Sequence, residues 1–96
     1  MFLLAPRHLH PPEYADQAPD IAIEILSPSS SITDTVDKVN FYLRHGVRSV
    51  WLVDPERRRV DIHKQEQPMR RIEGSAILTD QLLPGFELPL QDLFAA

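Results

Sequence analysis

The sequence predicts a small α/β or α+β domain, and three segments carry this prediction. Two apolar runs, 21–26 and 50–53, have the length and composition of strands that are buried on both faces. The segment between them, 31–46, has the apolar spacing and the end signals of a helix. Residues 54–64 then predict a turn and a half-exposed strand. The order strand, helix, strand, hairpin places the first two strands parallel through a right-handed crossover.

Length and composition limit the number of domains and the class of protein. The chain has 96 residues, of which 43% are hydrophobic and 25% are charged, as in an ordinary soluble domain. We therefore expect residues 1–96 to form one domain. The chain has no cysteine, which excludes disulfides and thiolate chemistry and is typical of a cytoplasmic protein. No stretch approaches the length of a membrane span.

The charge balance argues against a general nucleic-acid-binding surface. The formal net charge is −4, so an electrostatic attraction to phosphate would need a local basic patch. The segments 57–59 and 70–71 are the candidates for such a patch. We interpret them as a solvated turn and a solvated strand end.

The first part of the chain predicts less regular structure. Residues 2–5 resemble the tail of a strand, and because no turn leads into them, the start looks cut. Residues 7–18 contain prolines and polar residues and predict a loop. His8 and His10 have the spacing of a metal pair on a strand, but no third ligand is evident, so we interpret them as surface histidines.

The central predicted strand contains one charged residue, Glu24. Isoleucines 21, 23 and 25 fall on one face of the strand, and Asp20, Ala22, Glu24 and Leu26 fall on the other. An unpaired carboxylate in or near a core is costly. We therefore expect Glu24 to meet a cation, to bind a metal ion or to be protonated.

The helix that follows has clear end signals. Ser31 or Thr33 is the expected N-cap, with Asp34 and Asp37 in the first turns. Gly46 is the expected stop. The predicted apolar stripe comprises Val36, Val39, Phe41, Tyr42 and Leu43.

Four later segments complete the prediction. Residues 49–53 form a strand, residues 59–64 form a strand with one exposed face, and residues 69–72 are a further candidate strand. Residues 90–94 predict one closing helical turn.

Spacing alone leaves the chemistry of Glu24 open. Asp20 and Glu24 are four residues apart on one strand face, so their Cα atoms lie about 13 Å apart and the pair cannot share a metal ion. In many nucleases a lysine stands two residues after the glutamate, but this chain has Leu26 there. A lysine from the helix could replace it, and Lys38 is the candidate. Spacing by itself favours a solvent-facing Lys38 paired with Asp34 at i−4.

Several motifs together resemble the domain of unknown function 820 family, whose members are restriction-endonuclease-like and related to nucleases with a PD-(D/E)xK site. The resemblance covers nearly the whole chain in order. The motifs are APDIAIEILSPSS at 18–30, Asp34-x-x-x-Lys38-x-x-x-Tyr42, His45-Gly46-Val47, WLVDP at 51–55 and LPGFEL at 83–88.

The resemblance implies a mixed β-sheet with flanking helices and a nuclease site that uses Mg²⁺ or Mn²⁺ and acts on DNA. Glu24 would be a catalytic residue and a metal ligand, and Lys38 would be the catalytic lysine moved from strand to helix. Asp20, Asp34 and Tyr42 are candidates for supporting roles. In this family the carboxylates hold the metal, and the lysine supports charge on the phosphate.

One departure from the family pattern bears on activity. Family members carry an upstream part with a helix, a glutamate and a strand that begins with Pro-Asp, and that aspartate is a metal ligand. We therefore expect a truncated restriction-endonuclease-like core that lacks this helix and this strand. A single glutamate is a weak Mg²⁺ site, so the chain alone is predicted to be inactive.

Two other hypotheses remain open. The chain could be a non-catalytic assembly or binding module that uses an exposed sheet edge. It could also be a working nuclease in which Asp54 replaces the missing aspartate, although Asp54 has the position of a turn residue. Because a truncated core exposes sheet edge and apolar surface, we expect a homodimer or a larger homo-oligomer.

Overall fold

The computed structural model describes residues 2–4 and 19–95. The predictions for the loop at 7–18 and for His8 and His10 lie outside the described residues. Within them, no helix has the length and apolar character needed to cross a membrane.

A five-stranded sheet forms the centre of the fold, with the strands in chain order. The pair β2–β3 is parallel and the other three pairs are antiparallel, so the sheet is mixed, as the resemblance implied. The pairing of β2 with β3 confirms that the two apolar strands are parallel, as predicted. The strands are β1 (Phe2–Leu4), β2 (Ile21–Ile25), β3 (Ser49–Asp54), β4 (Arg59–His63) and β5 (Arg70–Glu73).

Helix α1 (Ile32–Arg44) connects the two parallel strands. Ser31 is the N-cap, and its hydroxyl accepts a hydrogen bond from the Asp34 amide at 2.9 Å. The helix ends before Gly46, whose φ of 98° lies in the left-handed region that glycine adopts without steric cost. Both predicted end signals are therefore confirmed.

A smaller layer follows the sheet. It contains β6 (Ile77–Leu78), which pairs with β7 (Leu88–Pro89), and the short helix α2 (Leu90–Leu93). The sequence predicted the helical turn but not the two short strands. The Leu90 amide donates to the Ala76 carbonyl at 3.0 Å, which attaches the start of α2 to the chain before β6.

Alternate residues of β2 and β3 supply two apolar cores, one on each face of the sheet. The core under α1 contains Ala22, Val39, Val47, Val50 and Leu52. The core between the sheet and the smaller layer includes Ile21, Trp51, Val53, Val60, Ile62, Ile72, Leu78 and Leu90. The position of a residue along β3 therefore decides which of the two cores its side chain enters.

The apolar side chains are covered less completely than the sequence predicted. Ile21 and Ala22 are fully buried, but Ile25 at the end of β2 is 48% exposed. On α1, Val39 is buried, whereas Val36 and Phe41 are about half exposed. Ile32, which the predicted stripe did not include, is 84% exposed. In the described part of the chain, exposed apolar side chains thus occur both at the carboxyl end of β2 and on α1.

Candidate functional site

Glu24 and Lys38 meet at the carboxyl end of β2. Glu24 lies on the sheet face that α1 covers, in register with Leu52 of β3. Lys38 lies one residue before the buried Val39, on the second turn of α1. Lys38 Nζ donates to Glu24 Oε1 at 3.1 Å. The predicted alternative, a solvent-facing Lys38 paired with Asp34, is not the arrangement observed.

The ion pair lies at the boundary between core and solvent. The Glu24 side chain is 13% exposed and the Lys38 side chain is 57% exposed. The hydrogen bond and the charge of Glu24 raise the pKa of Lys38 above its ordinary value of 10.5. An open cleft of about 350 Å³ adjoins the pair, and it is lined by Glu24, Leu26, Ser29, Ser30, Ser31, Asp34, Thr35, Asp37 and Lys38.

Tyr42 approaches the second oxygen of the same carboxylate. It lies one helical turn after Lys38, so both side chains project from one face of α1. Its hydroxyl donates to Glu24 Oε2 over a long 3.4 Å. Burial, together with the Glu24 charge, raises the pKa of Tyr42 above its ordinary value of 10.0. Each Glu24 oxygen therefore accepts from a different side chain of α1.

The other two candidates for supporting roles lie in different places. Asp34 lines the cleft beside Lys38 and its charge acts on the lysine, but the residue forms no ion pair in the described structure. Asp20 lies just before β2, at the opposite end of the strand from Glu24, and its carboxylate is 3.6 Å from Arg48 Nη1. The structure thus places Asp34, but not Asp20, at the cleft.

Asp54 acts as a turn residue in the structure. It ends β3, and its carboxylate accepts from the Arg57 amide at 3.1 Å and from Arg57 Nη1 at 3.2 Å. Burial alone would raise the pKa of Asp54, but these two hydrogen bonds and the arginine charge hold it below its ordinary value. Because the Asp54 carboxylate is engaged in the turn, it is a poor substitute for a missing metal ligand.

The described residues alone do not fit a divalent metal ion. They contain no group of three or more histidine, cysteine, aspartate or glutamate side chains that could hold one. Glu24 is a single carboxylate, and the Lys38 ammonium occupies one of its oxygens. Mg²⁺ is held by several anionic or carbonyl oxygens together with water, so the described part of the site is incomplete for that ion.

Asp80 is a buried carboxylate that no sequence motif indicated. Its side chain is 0% exposed and lies on the sheet face opposite Glu24. It accepts from Ser49 Oγ at 2.8 Å, Trp51 Nε1 at 2.9 Å, Lys64 Nζ at 3.2 Å and the Leu82 amide at 2.9 Å. Because its side chain is fully buried and all four of its hydrogen-bond partners are donors, we assign Asp80 a structural role.

Burial and hydrogen bonding act in opposite directions on Asp80. Burial alone would raise the pKa of its carboxyl, but the four donors outweigh it and hold the pKa below the ordinary value. No local sequence signal pointed to this network, because Trp51 and Asp80 are 29 residues apart.

Comparison with known proteins identifies the family. No curated protein matches the chain. A solved structure described as "a putative nuclease belonging to DUF820", from Anabaena variabilis ATCC 29413, matches with a TM-score of 0.73 and 31% sequence identity. That alignment covers 81% of this chain, which spans 45% of the length of the Anabaena chain. The Uma2 family model, described as "Putative restriction endonuclease", matches residues 3–91. The chain therefore belongs to the Uma2 family of restriction-endonuclease-like proteins.

Proposed function

We propose that this chain provides the glutamate and the lysine of a DNA nuclease site, and that the site needs further carboxylates to be active. The observation that carries the proposal is the 3.1 Å contact between Lys38 Nζ and Glu24 Oε1. The two residues are 14 positions apart, on a helix and a strand, and they meet beside an open cleft. An ion pair between distant positions beside an open cleft, with a lysine whose pKa is raised, supports a functional site there.

The two side chains have complementary tasks in this proposal. The Lys38 ammonium has three donors and uses one for Glu24, so others are available for a phosphate oxygen. Positive charge placed there stabilises the charge that develops on phosphate during hydrolysis. Tyr42 and Lys38 each bind one oxygen of Glu24, which fixes the plane of the carboxylate towards the cleft.

The cofactor remains part of the proposal. Restriction-endonuclease-like enzymes generally use divalent metals. Since the described residues contain no group of three or more histidine, aspartate or glutamate side chains that could hold a metal ion, we propose that the first aspartate of the family pattern has no counterpart among them. Nuclease activity would then be absent until another segment or another chain supplies the missing ligands. A cytoplasmic location, which the lack of cysteine favours, belongs to the same proposal.

A nicking assay tests this function. Supercoiled plasmid is incubated with Mg²⁺ or Mn²⁺ and three proteins: the chain, its Glu24→Gln variant, and the chain fused to a family-like upstream segment with the Pro-Asp strand. We expect nicking by the fused protein alone, and we expect Glu24→Gln to abolish it there. The matched control is Glu87→Gln, which removes an exposed carboxylate on the other layer.

Two results would count against the proposal. Nicking by the unfused chain that depends on Glu24 would show that the site is complete without the added segment. Nicking by the fused protein that persists in Glu24→Gln would show that this residue is not part of the active site.

A second candidate function is assembly through exposed apolar surface. Ile25 and Ile32 are exposed at the carboxyl end of β2 and at the start of α1, and β5 pairs with β4 alone among the described strands. Apolar side chains and open strand edges of this kind are typical of interfaces. We propose a homodimer on this basis, and sedimentation at micromolar concentration tests it. A monomer of 11.0 kDa would contradict the proposal.

A further inference from the structure

Arg59, the first residue of β4, has a guanidinium group without a hydrogen-bond partner in the described structure. The residue is half-buried. Its Nε is buried, and it is the one buried side-chain nitrogen or oxygen in residues 19–95 that lacks a partner. A buried donor without an acceptor costs about 1–3 kcal/mol. Such a group in a native structure calls for an explanation, and a functional role or a bound ion is among those that apply.

The other arginines of this region are all engaged. Arg57 binds the Asp54 carboxylate, and Arg71 binds Asp61 through two hydrogen bonds of 2.8 Å and 3.1 Å. Arg58 lies over the ring of Phe94 at 5.8 Å, and Arg70 donates to the Thr79 carbonyl. These residues are the solvated turn and strand end that the sequence predicted. Arg59 differs from them because its buried Nε has no hydrogen-bond partner.

The neighbours of Arg59 do not accept hydrogen bonds from its guanidinium. Asp54 and Glu73 are its register partners on β3 and β5, but neither accepts a hydrogen bond from it. Asp54 is already bound to Arg57. The Arg59 charge helps to lower the pKa of Asp54, but the guanidinium forms no ion pair with either carboxylate, so its donors are available to another anion.

Arg59 lines an open groove of about 520 Å³ between α1 and β4. Hydroxyl groups of Ser27, Ser30, Ser31 and Thr35 line the groove as well. Leu26, Ser30, Ser31 and Thr35 also line the cleft at Lys38, so the two depressions adjoin each other around the first turn of α1.

The sheet register gives the distance between the two places. Glu24 is in register with Leu52, and Leu52 is in register with Asp61, two residues after Arg59 on the same strand. Two strand spacings across and two residues along the sheet separate the Cα atoms of Glu24 and Arg59 by about 12 Å.

We propose that Arg59 binds a backbone phosphate of the DNA strand whose scissile phosphate lies at Glu24 and Lys38. The proposal rests on the proposed function, since it requires DNA at the cleft. The planar fork of a guanidinium matches two phosphate oxygens, and neighbouring hydroxyls can donate to the same group. Arg59 is thus a positioning residue for the strand.

The charges of the groove give little attraction to any anion, so a phosphate needs a second contact to be held there. Asp54, Glu56 and Asp61 also line it, so its net charge gives a small anion little attraction. A strand that Lys38 already holds brings its next phosphates to Arg59 at high effective concentration. The guanidinium then binds a further phosphate of a strand that is already held, rather than a separate anion from solution.

Binding without cleavage tests the role of Arg59. The affinity of the chain for a short labelled DNA duplex is measured by fluorescence anisotropy in EDTA at several salt concentrations. We expect Arg59→Gln to weaken binding about eightfold at roughly 0.1 M salt and to lower the slope of log K against log salt by about 0.9, the contribution of one phosphate contact. Arg59→Lys keeps the charge and should retain the slope.

The matched control is Arg48→Gln, which removes the same charge from an exposed arginine at the opposite end of β3. Circular dichroism of each variant checks folding. Equal affinities and slopes for Arg59→Gln, Arg48→Gln and the unmodified chain would overturn the proposal, as would a lack of any binding by the unmodified chain. Equal losses in Arg59→Gln and Arg48→Gln would overturn it too, because the effect would then be general charge.

A second measurement distinguishes binding of a DNA strand at Arg59 from binding of a free anion. The Nε–H resonance of Arg59 is followed by NMR during titration with duplex or with inorganic phosphate. We expect the duplex alone to shift it. An equal shift with inorganic phosphate would assign the site to a free anion and overturn the proposal.

The inference and the proposed function can fail separately. Glu24-dependent nicking with an unaffected Arg59→Gln variant would leave the nuclease proposal intact and remove the role of Arg59. Conversely, a salt slope that depends on Arg59 without Glu24-dependent nicking would retain the strand contact and remove the nuclease.

Discussion

Lys38 Nζ lies 3.1 Å from Glu24 Oε1, so the one carboxylate of the interior strand β2 is paired with a helix residue rather than with a residue of its own sheet. The pairing depends on how α1 packs. Val39, the next residue, is buried among Ala22, Val50 and Leu52, and this contact fixes the rotation of the helix. The geometry of the polar site therefore follows from the apolar core beneath it.

The first prediction concerns the pKa of Lys38. Glu24 is the main cause of its upward shift, so Glu24→Gln should lower the pKa of Lys38 towards 10.5. Because the folded pKa is raised, the stabilising effect of the pair is present below pH 10.5 and is lost as the pH rises through the folded pKa. NMR titration of the Lys38 side chain measures both values. Glu87→Gln serves as the control and should leave the lysine unchanged.

The second prediction concerns Tyr42. Tyr42→Phe removes the hydroxyl that approaches Glu24 Oε2 at 3.4 Å and keeps the ring. Because that hydrogen bond is long, we expect a loss of about 0.5–1 kcal/mol in the free energy of unfolding, measured with urea. The same loss in a Glu24→Gln background would mean that the hydroxyl does not act through Glu24.

The raised pKa of Tyr42 gives an independent check. A tyrosine with a raised pKa ionises first in the unfolded chain, so this group destabilises the fold as the pH rises from about 10 towards its folded pKa. Tyr14→Phe leaves Tyr42 as the single tyrosine for an absorbance titration. A midpoint at or below pH 10 would contradict the structure.

The third prediction concerns Asp80. Asp80→Asn places an amide among the donors Ser49 Oγ, Trp51 Nε1 and Lys64 Nζ and leaves the lysine without its charge partner. We expect the free energy of unfolding to fall by about 2–4 kcal/mol, since removal of one partner from a buried pair is costly. Urea unfolding followed by Trp51 fluorescence measures it. Asp92→Asn, at an exposed site on α2, is the matched control.

The pH dependence of stability should change in the same variant. The Asp80 pKa is lowered in the folded state, so its contribution is present above the unfolded pKa of about 3.9 and is lost as the pH falls through the folded value. Below about pH 4, Asp80→Asn should therefore lose less stability on acidification than the unmodified chain. An equally steep loss in both would contradict this assignment.

Local signals explain which parts of the fold could be predicted. Ser31 and Gly46 bound α1 correctly because capping depends on a few neighbouring residues. The strands β6 and β7 were missed because two residues each are too short for an alternating pattern. Ile25 was expected to be covered because strand periodicity shows which face a residue is on, but not how far the next layer extends.

In the candidate site too, contacts between residues close in sequence could be predicted, whereas contacts between distant residues could not. From spacing alone, Asp34 was a better partner for Lys38 than Glu24, because i−4 contacts on a helix are visible in a sequence and strand–helix contacts are not. The family resemblance brought Lys38 and Glu24 together, and the structure confirms their contact, whereas their catalytic role stays a prediction. The network of Asp80 and the surroundings of Arg59 depend on residues that are distant in sequence, so no single stretch of sequence indicates them.

The last prediction concerns metal binding by this chain. Glu24 is one carboxylate, and the Lys38 ammonium next to it repels a divalent cation. We therefore expect Mn²⁺ to bind with a dissociation constant on the order of millimolar or weaker, measured by electron paramagnetic resonance. Lys38→Met should strengthen binding severalfold, since it frees one Glu24 oxygen and removes the positive charge, and Lys38→Met with Glu24→Gln should lose that gain. Micromolar binding that depends on Glu24 in the unmodified chain would contradict the prediction, because a single carboxylate beside an ammonium lacks the anionic oxygens that such an affinity requires.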